Sequence, residues 1–74
     1  MMSLSDLKEN EKAKIVKIHG GIGLTQRLMD LGLTYGTVVH IVRNFGRGPI
    51  IVSVRNTDIA LGRGIARKIW VEKI

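Results

Sequence analysis

The chain has no cysteine and only one proline among its 74 residues. Without thiols it can form neither a disulfide brace nor a thiolate metal site, so the fold must stand on packing alone. That usage is compatible with a reducing compartment. Aromatics are equally scarce: Tyr35, Phe45 and Trp70 are the full set. Trp70 sits between Ile69 and Val71 and reads as structural, which leaves little for the stacked aromatic platforms of single-strand nucleic-acid binders. Long apolar runs are missing too. Pro49-Ile50-Ile51-Val52 is far short of the roughly 20 residues needed to span a bilayer, so no direct membrane insertion is expected. The opening Met1-Met2-Ser3-Leu4 lacks a basic region followed by an apolar one, so no signal peptide is expected and the location inferred is cytoplasmic.

Acids are the other shortage. Twelve Lys and Arg face six Asp and Glu, for a net charge of +6. The excess is uneven: residues 1–37 carry a net +1 and residues 38–74 a net +5. The basic half is rich in arginine, whose planar fork suits carboxylates and phosphates. An acidic partner, protein or nucleic acid, follows from that asymmetry, against the plainer reading of a charged solubilising coat. The length fits a single domain over residues 1–74, with a thin core, since a chain of this size buries only about 60% of its unfolded surface.

Leu24, Leu28 and Leu31 stand at i, i+4 and i+7 and predict a helix over 24–31. Gly32 follows, where a left-handed residue closes a helix at little steric cost. Gly36 opens a β-branched run from Thr37 to Asn44, with Val39 and Ile41 facing inward. Ile50, Val52 and Val54 alternate with Ile51, Ser53 and Arg55, the cleanest period-two pattern in the chain. Ala13 to His19 is a further strand, its imperfect alternation explained by a bulge near Ile15 with Val16 and Ile18 inward. Asn10 is placed left-handed in the polar turn 9–12. Asn56-Thr57-Asp58 is assigned to a turn, Ile59–Leu61 to a short strand, Arg63–Lys68 to a helical turn and Ile69–Val71 to the closing strand. Leu4 and Leu7 pack a lead-in onto the core. The sum is a mainly β fold, a small SH3-like barrel of about five strands with one short helix between the first two.

Motifs for chemistry are thin. Gly20-Gly21-Ile22-Gly23 lies between a strand and a helix, as phosphate loops do. Leu24-Thr25-Gln26 then replaces the Lys-Ser/Thr of a Walker loop, and Gln26 stands where a dinucleotide fingerprint needs its third glycine. No cofactor is expected. His19 and His40 have no ligand-type neighbours at i+2 to i+4, so no metal site is assigned. Ser3, Ser5 and Ser53 lack an adjacent base, and no catalytic residue is assigned, so the chain is read as a non-enzyme.

The order of these pieces resembles one family, the ferrous iron transport protein A (FeoA) family, and the similar SH3-like domain that ends some iron-dependent repressors. The resemblance runs through Leu7, Ala13, Ile15 and Ile18, the glycine loop, Arg27-Leu28 and Leu31-Gly32-Leu33. It continues through Gly36-Thr37, Val39, Ile41, Pro49-Ile50, Val52, Val54, Ala60-Leu61, Ala66, Ile69 and Val71. Tyr35 stands where members often carry proline, and Gly48 where they often carry aspartate. The resemblance implies a cytoplasmic accessory of ferrous iron uptake that works with FeoB, a ferrous iron permease bearing a cytosolic GTPase domain, and that is recruited to the inner face of the membrane by this partner. Iron is the cargo of that system. The alternative is a small basic barrel that binds nucleic acid, or a stand-alone relative of the repressor domain. For docking on the permease the candidate residues are Arg27, Leu33, Arg43, Arg47, Ile51 and Arg63, arginines steering approach and apolar side chains adding contact area.

Overall fold

The structure is a computed structural model that describes residues 1–74. Six strands form one antiparallel sheet: β1 (Met2–Ser3), β2 (Lys12–Ile18), β3 (Val38–Arg43), β4 (Ile50–Val54), β5 (Thr57–Leu61) and β6 (Ile69–Lys73). Their order across the sheet is β1-β6-β2-β3-β4-β5. Strands β2 to β6 feed one cluster of 16 buried residues, and Met2 of β1 packs against it, so the sheet wraps around its core. A 3₁₀ turn (Leu4–Asp6), helix α1 (Ile22–Asp30) and the one-turn helix α2 (Arg63–Ala66) complete the chain. The sixth strand, β1, pairs Met2 with Val71 and Ser3 with Trp70 and was not anticipated. Leu4 and Leu7 are buried as expected.

Helix α1 begins two residues before the predicted start and ends one before the predicted end. Leu28 is buried and Leu24 half-buried, but Leu31 is the C-cap and stays 47% exposed. Gly32 has φ +96°, as the sequence demanded. Its N–H donates to the Met29 carbonyl and the Leu33 N–H to the Leu28 carbonyl, both at 2.9 Å. These two bonds are the 5→2 and 6→1 pair of a Schellman motif. Asn10 is left-handed at φ 72°, and its N–H donates to the Ile41 carbonyl at 2.8 Å.

Two bulges set the phase of the barrel. In β2 the register against β6 slips between Ile15 and Lys17. Ala13, Ile15 and Ile18 face the core, while Val16 is the extra residue and only half-buried, which corrects the inward placement expected for it. In β3 the register against β4 slips between Ile41 and Arg43, which makes Val42 the extra residue. Without that slip Arg43 would share the inward parity of Val39 and Ile41, both fully buried. With it, Arg43 pairs with Ile51 on the outer face.

β4 follows its predicted alternation, Ile50, Val52 and Val54 buried. Its turn into β5 is Arg55-Asn56, with φ 51° and 64°, the signature of a two-residue type I′ hairpin. Thr57 and Asp58 therefore belong to a strand and not to the turn assigned to them. Their polar side chains are exposed at the edge of the sheet, where such residues discourage pairing with other chains.

Candidate functional site at the β3–β4 hairpin

Three of the six docking residues inferred from sequence are brought together by β3, β4 and the loop between them. Arg43 and Ile51 are cross-strand partners. The loop that follows, Asn44 to Pro49, turns at Gly46 with φ 66°, a conformation that suits glycine. Arg43, Phe45, Arg47, Pro49 and Ile51 line a half-open hollow of about 290 Å³ at this hairpin. Phe45 is 65% exposed. The Arg43 guanidinium carbon lies 5.4 Å from the centre of its ring, within cation–π range.

Arg63 reaches the same loop from α2. Its Nη2 donates to the Phe45 carbonyl oxygen at 3.2 Å, and its Nε is buried without an acceptor. The far side of the loop is held by Asn44, whose side-chain amide donates to the Leu7 and Ser5 carbonyls. The Asn44 N–H donates to Glu9 Oε2 at 3.0 Å. The loop is thus tied to the lead-in segment on one side and to α2 on the other, and Phe45 is presented from a fixed backbone.

The other two predicted residues do not join this set. Arg27 is exposed on α1 and makes no hydrogen bond to the hairpin. Leu33 is 0% exposed and belongs to the core cluster. Its assignment as a contact residue is corrected: the Schellman motif turns the residue after Gly32 back toward Leu28, and a leucine there completes the interior. Conversely, Phe45 and Pro49 line the hollow and were not among the residues inferred from sequence. A lone phenylalanine in an otherwise polar, glycine-rich turn was the available signal.

The electrostatics are one-sided. The only ion pair in the chain joins Lys73 to Glu11, away from this hairpin, and leaves Arg43, Arg47 and Arg63 without carboxylate partners. Hydrogen bonding to Lys73, then to the Lys8 N–H, holds the Glu11 carboxyl below its ordinary value. A second, shallower depression of about 300 Å³ is bordered by Met1, Met2, Val71, Glu72 and Lys73 and has no comparable cluster of like charge. No three His, Asp or Glu side chains converge as a metal-ligand set. What the hairpin offers is recognition chemistry: cations without carboxylate partners beside an aromatic face and apolar side chains.

The chain is 42% identical to the putative Fe(2+) transport protein A of Methanocaldococcus jannaschii over 97% of its own length and 87% of that protein's. It is 30% identical to the Fe(2+) transport protein A/Fe(2+) transporter FeoB fusion protein of Porphyromonas gingivalis, spanning 99% of the chain but only 9% of the fusion. A crystal structure of the iron uptake regulatory protein FeoA superposes with a TM-score of 0.93 at 34% identity, covering 99% of this chain and 97% of that one. The zinc-complexed FeoA of Stenotrophomonas maltophilia, an SH3 domain protein, gives 0.84 at 28% identity, with 97% and 91% covered. The small barrel is therefore SH3-like, as the spacing of its strands predicted. With the FeoA domain model matching residues 2–73 and the archaeal relative aligned along nearly its whole length, the chain belongs to the FeoA domain family.

Proposed function

We propose that the chain is a non-enzymatic accessory of ferrous iron uptake, docking on the cytosolic, GTPase-bearing part of a FeoB-type permease at the inner face of the membrane. The observation that carries this reading is the Porphyromonas gingivalis fusion, in which a matching stretch and a FeoB transporter share one polypeptide. Covalent linkage makes docking intramolecular, at effective concentrations up to the millimolar range for short flexible linkers. A separate chain needs its own interface to reach the same arrangement. The arginine-bearing hairpin supports one, because fixed cations raise the encounter rate with an acidic surface.

The experiment is a biolayer-interferometry titration of the purified chain against the soluble cytosolic part of the FeoB-type protein from the same organism. Saturable binding whose association slows between 50 and 500 mM salt, on the order of a tenfold change, is the expected result. No binding at 100 μM, on the order of the weakest affinity that would matter beside a fused arrangement, overturns it. The second reading, a basic barrel binding nucleic acid, draws on the net +5 of residues 38–74. It takes over if duplex or single-stranded oligonucleotides bind more tightly than the permease domain in the same assay.

A further inference from the structure

At the β3–β4 hairpin Arg43 lies over the exposed phenyl ring of Phe45, Arg47 lines the same hollow and Arg63 holds the Phe45 carbonyl, and none of the three meets a carboxylate. Glu9 is the nearest acid in the hydrogen-bond network, but its carboxylate is engaged by the Asn44 N–H and forms no ion pair with Arg43, Arg47 or Arg63. The cluster therefore has an unmet demand for anions. Two further lining residues have the opposite character, since the side chains of Pro49 and Ile51 are apolar.

We propose that this hollow receives an extended acidic segment with one apolar side chain, the apolar group against Phe45, Pro49 and Ile51 and its flanking carboxylates on Arg43, Arg47 and Arg63. The proposal rests on the reading above in one respect, that the segment belongs to the transporter's cytosolic part. Three features favour a peptide of this kind. The volume, about 290 Å³, lies at the small end for ligand sites and suits a side chain better than a nucleotide. The stack of Arg43 on Phe45 and the bond from Arg63 to the Phe45 carbonyl restrict the anchors before any partner arrives, which lowers the ordering cost of binding. Arginine and aromatic residues in a partly enclosed pocket are also the groups on which binding energy concentrates.

A nucleic acid fits less well. One ring provides one stacking position, whereas strand-tracking surfaces use a succession of them. Phosphates gain nothing from Pro49 and Ile51. The buried Arg63 Nε, the only buried side-chain polar atom without a partner, adds a further donor once a carboxylate draws the guanidinium outward.

The test uses the full chain, labelled with ¹⁵N, and a ten-residue acetylated peptide with one central leucine flanked by glutamates. Its control carries glutamines in their place. The expected result is amide shifts confined to residues 43–51 and 63, absent with the glutamine control. Phe45→Ala and the pair Arg43→Glu with Arg47→Glu should each weaken binding by about tenfold or more, and Lys8→Glu with Lys12→Glu should not. Retained dispersion of core amides shows that each variant is folded. Shifts elsewhere, equal binding of the control, or stronger displacement by a single-stranded oligonucleotide overturn the proposal. The same variants are then measured against the transporter's cytosolic part. If that domain binds every variant as it binds the parent, the hollow is the wrong site and the partner reading stands. If the acidic peptide shifts the hairpin while the domain binds nothing, the partner reading fails and the chemistry of the hollow stands.

Discussion

Arg43 faces Ile51 across the β3–β4 pair only because Val42 is one residue more than the ladder needs. A β3 that kept Val42 but ran without the bulge would send Arg43 to the row of Val39 and Ile41, inside the barrel. An unpaired guanidinium there costs several kcal/mol, comparable with the roughly 5–15 kcal/mol that holds a whole domain together. Deleting Val42 removes only the extra residue and leaves Arg43 opposite Ile51, so the Val42-deleted chain is expected to keep a cooperative thermal transition by circular dichroism. Val42→Thr, which keeps the count, should stay within about 1 kcal/mol of the parent.

Gly32→Ala should destabilise the chain by about 1 kcal/mol or more, read from the urea midpoint at unchanged m-value. An added Cβ would meet no atom within 4 Å, so the penalty comes wholly from the φ of +96°. Gly32→Asn should therefore cost less than Gly32→Ala, because asparagine tolerates the left-handed region. Equal losses for the two would point to a cause other than the backbone.

Leu33→Ala should cost about 2–5 kcal/mol, the range for a leucine removed from a packed interior. A surface contact residue would change stability little. Denaturant unfolding of the free chain separates these two roles without any partner in the tube.

The depressed Glu11 carboxyl makes a pH prediction. Its ionised form is favoured in the folded chain, first by the hydrogen bond from Lys73 and then by the Lys8 N–H. The folded value lies below the unfolded one, so the contribution is complete above the unfolded value and disappears as pH falls through the folded value. Glu11→Gln should be less stable than the parent at neutral pH, with the gap closing in acid. Carboxyl ¹³C titration should show Glu11 moving toward an ordinary glutamate in Lys73→Ala.

Ferrous iron should find no defined site on the chain. His19 and His40 occupy different segments, and no trio of ligand-type side chains converges. Anaerobic titration calorimetry is expected to show no stoichiometric event. One that is lost in His19→Ala or His40→Ala would reverse this expectation.

Where alternation runs unbroken, the sequence was enough: Ile50, Val52 and Val54 are the inward row of β4 as their spacing indicated. Gly32 and Asn10 were legible for a related reason, since the backbone at each needs positive φ and few residues supply it. The bulge near Ile15 was legible from its broken alternation, but that Val16 is its extra residue was not, and neither was the slip at Val42. A bulge breaks parity, and valine is equally at home on either side of the break, so no residue type marks which position is the extra one. Thr57 and Asp58 were misassigned because the actual turn uses Arg55, a residue rarely left-handed, while exposed edge positions accept the polar side chains of turns. At the hairpin, the arginine-rich half pointed to Arg43 and Arg47. Phe45 stayed hidden because one of its two partners, Arg63, comes from a distant helix. Leu33 was misread although Gly32 stood before it, for the inward return after a helix-ending glycine was overlooked.

β2 lies between β3 and β6, so Ala13 pairs on one side with Val39 and on the other with Lys73. During synthesis the first side can zip early, but the second waits until β6 has left the ribosome. Until then Lys14, Ile15 and Lys17 present an open ladder, and Ile15 and Ile18 lack the cover of Ile69 and Val71. Pairings so remote in sequence demand loop closure before they return any stabilisation, which slows folding and lengthens the aggregation-prone interval. Lysines at positions 12, 14 and 17 place charge along this waiting edge. Their repulsion keeps two nascent chains from completing each other's sheet before each completes its own.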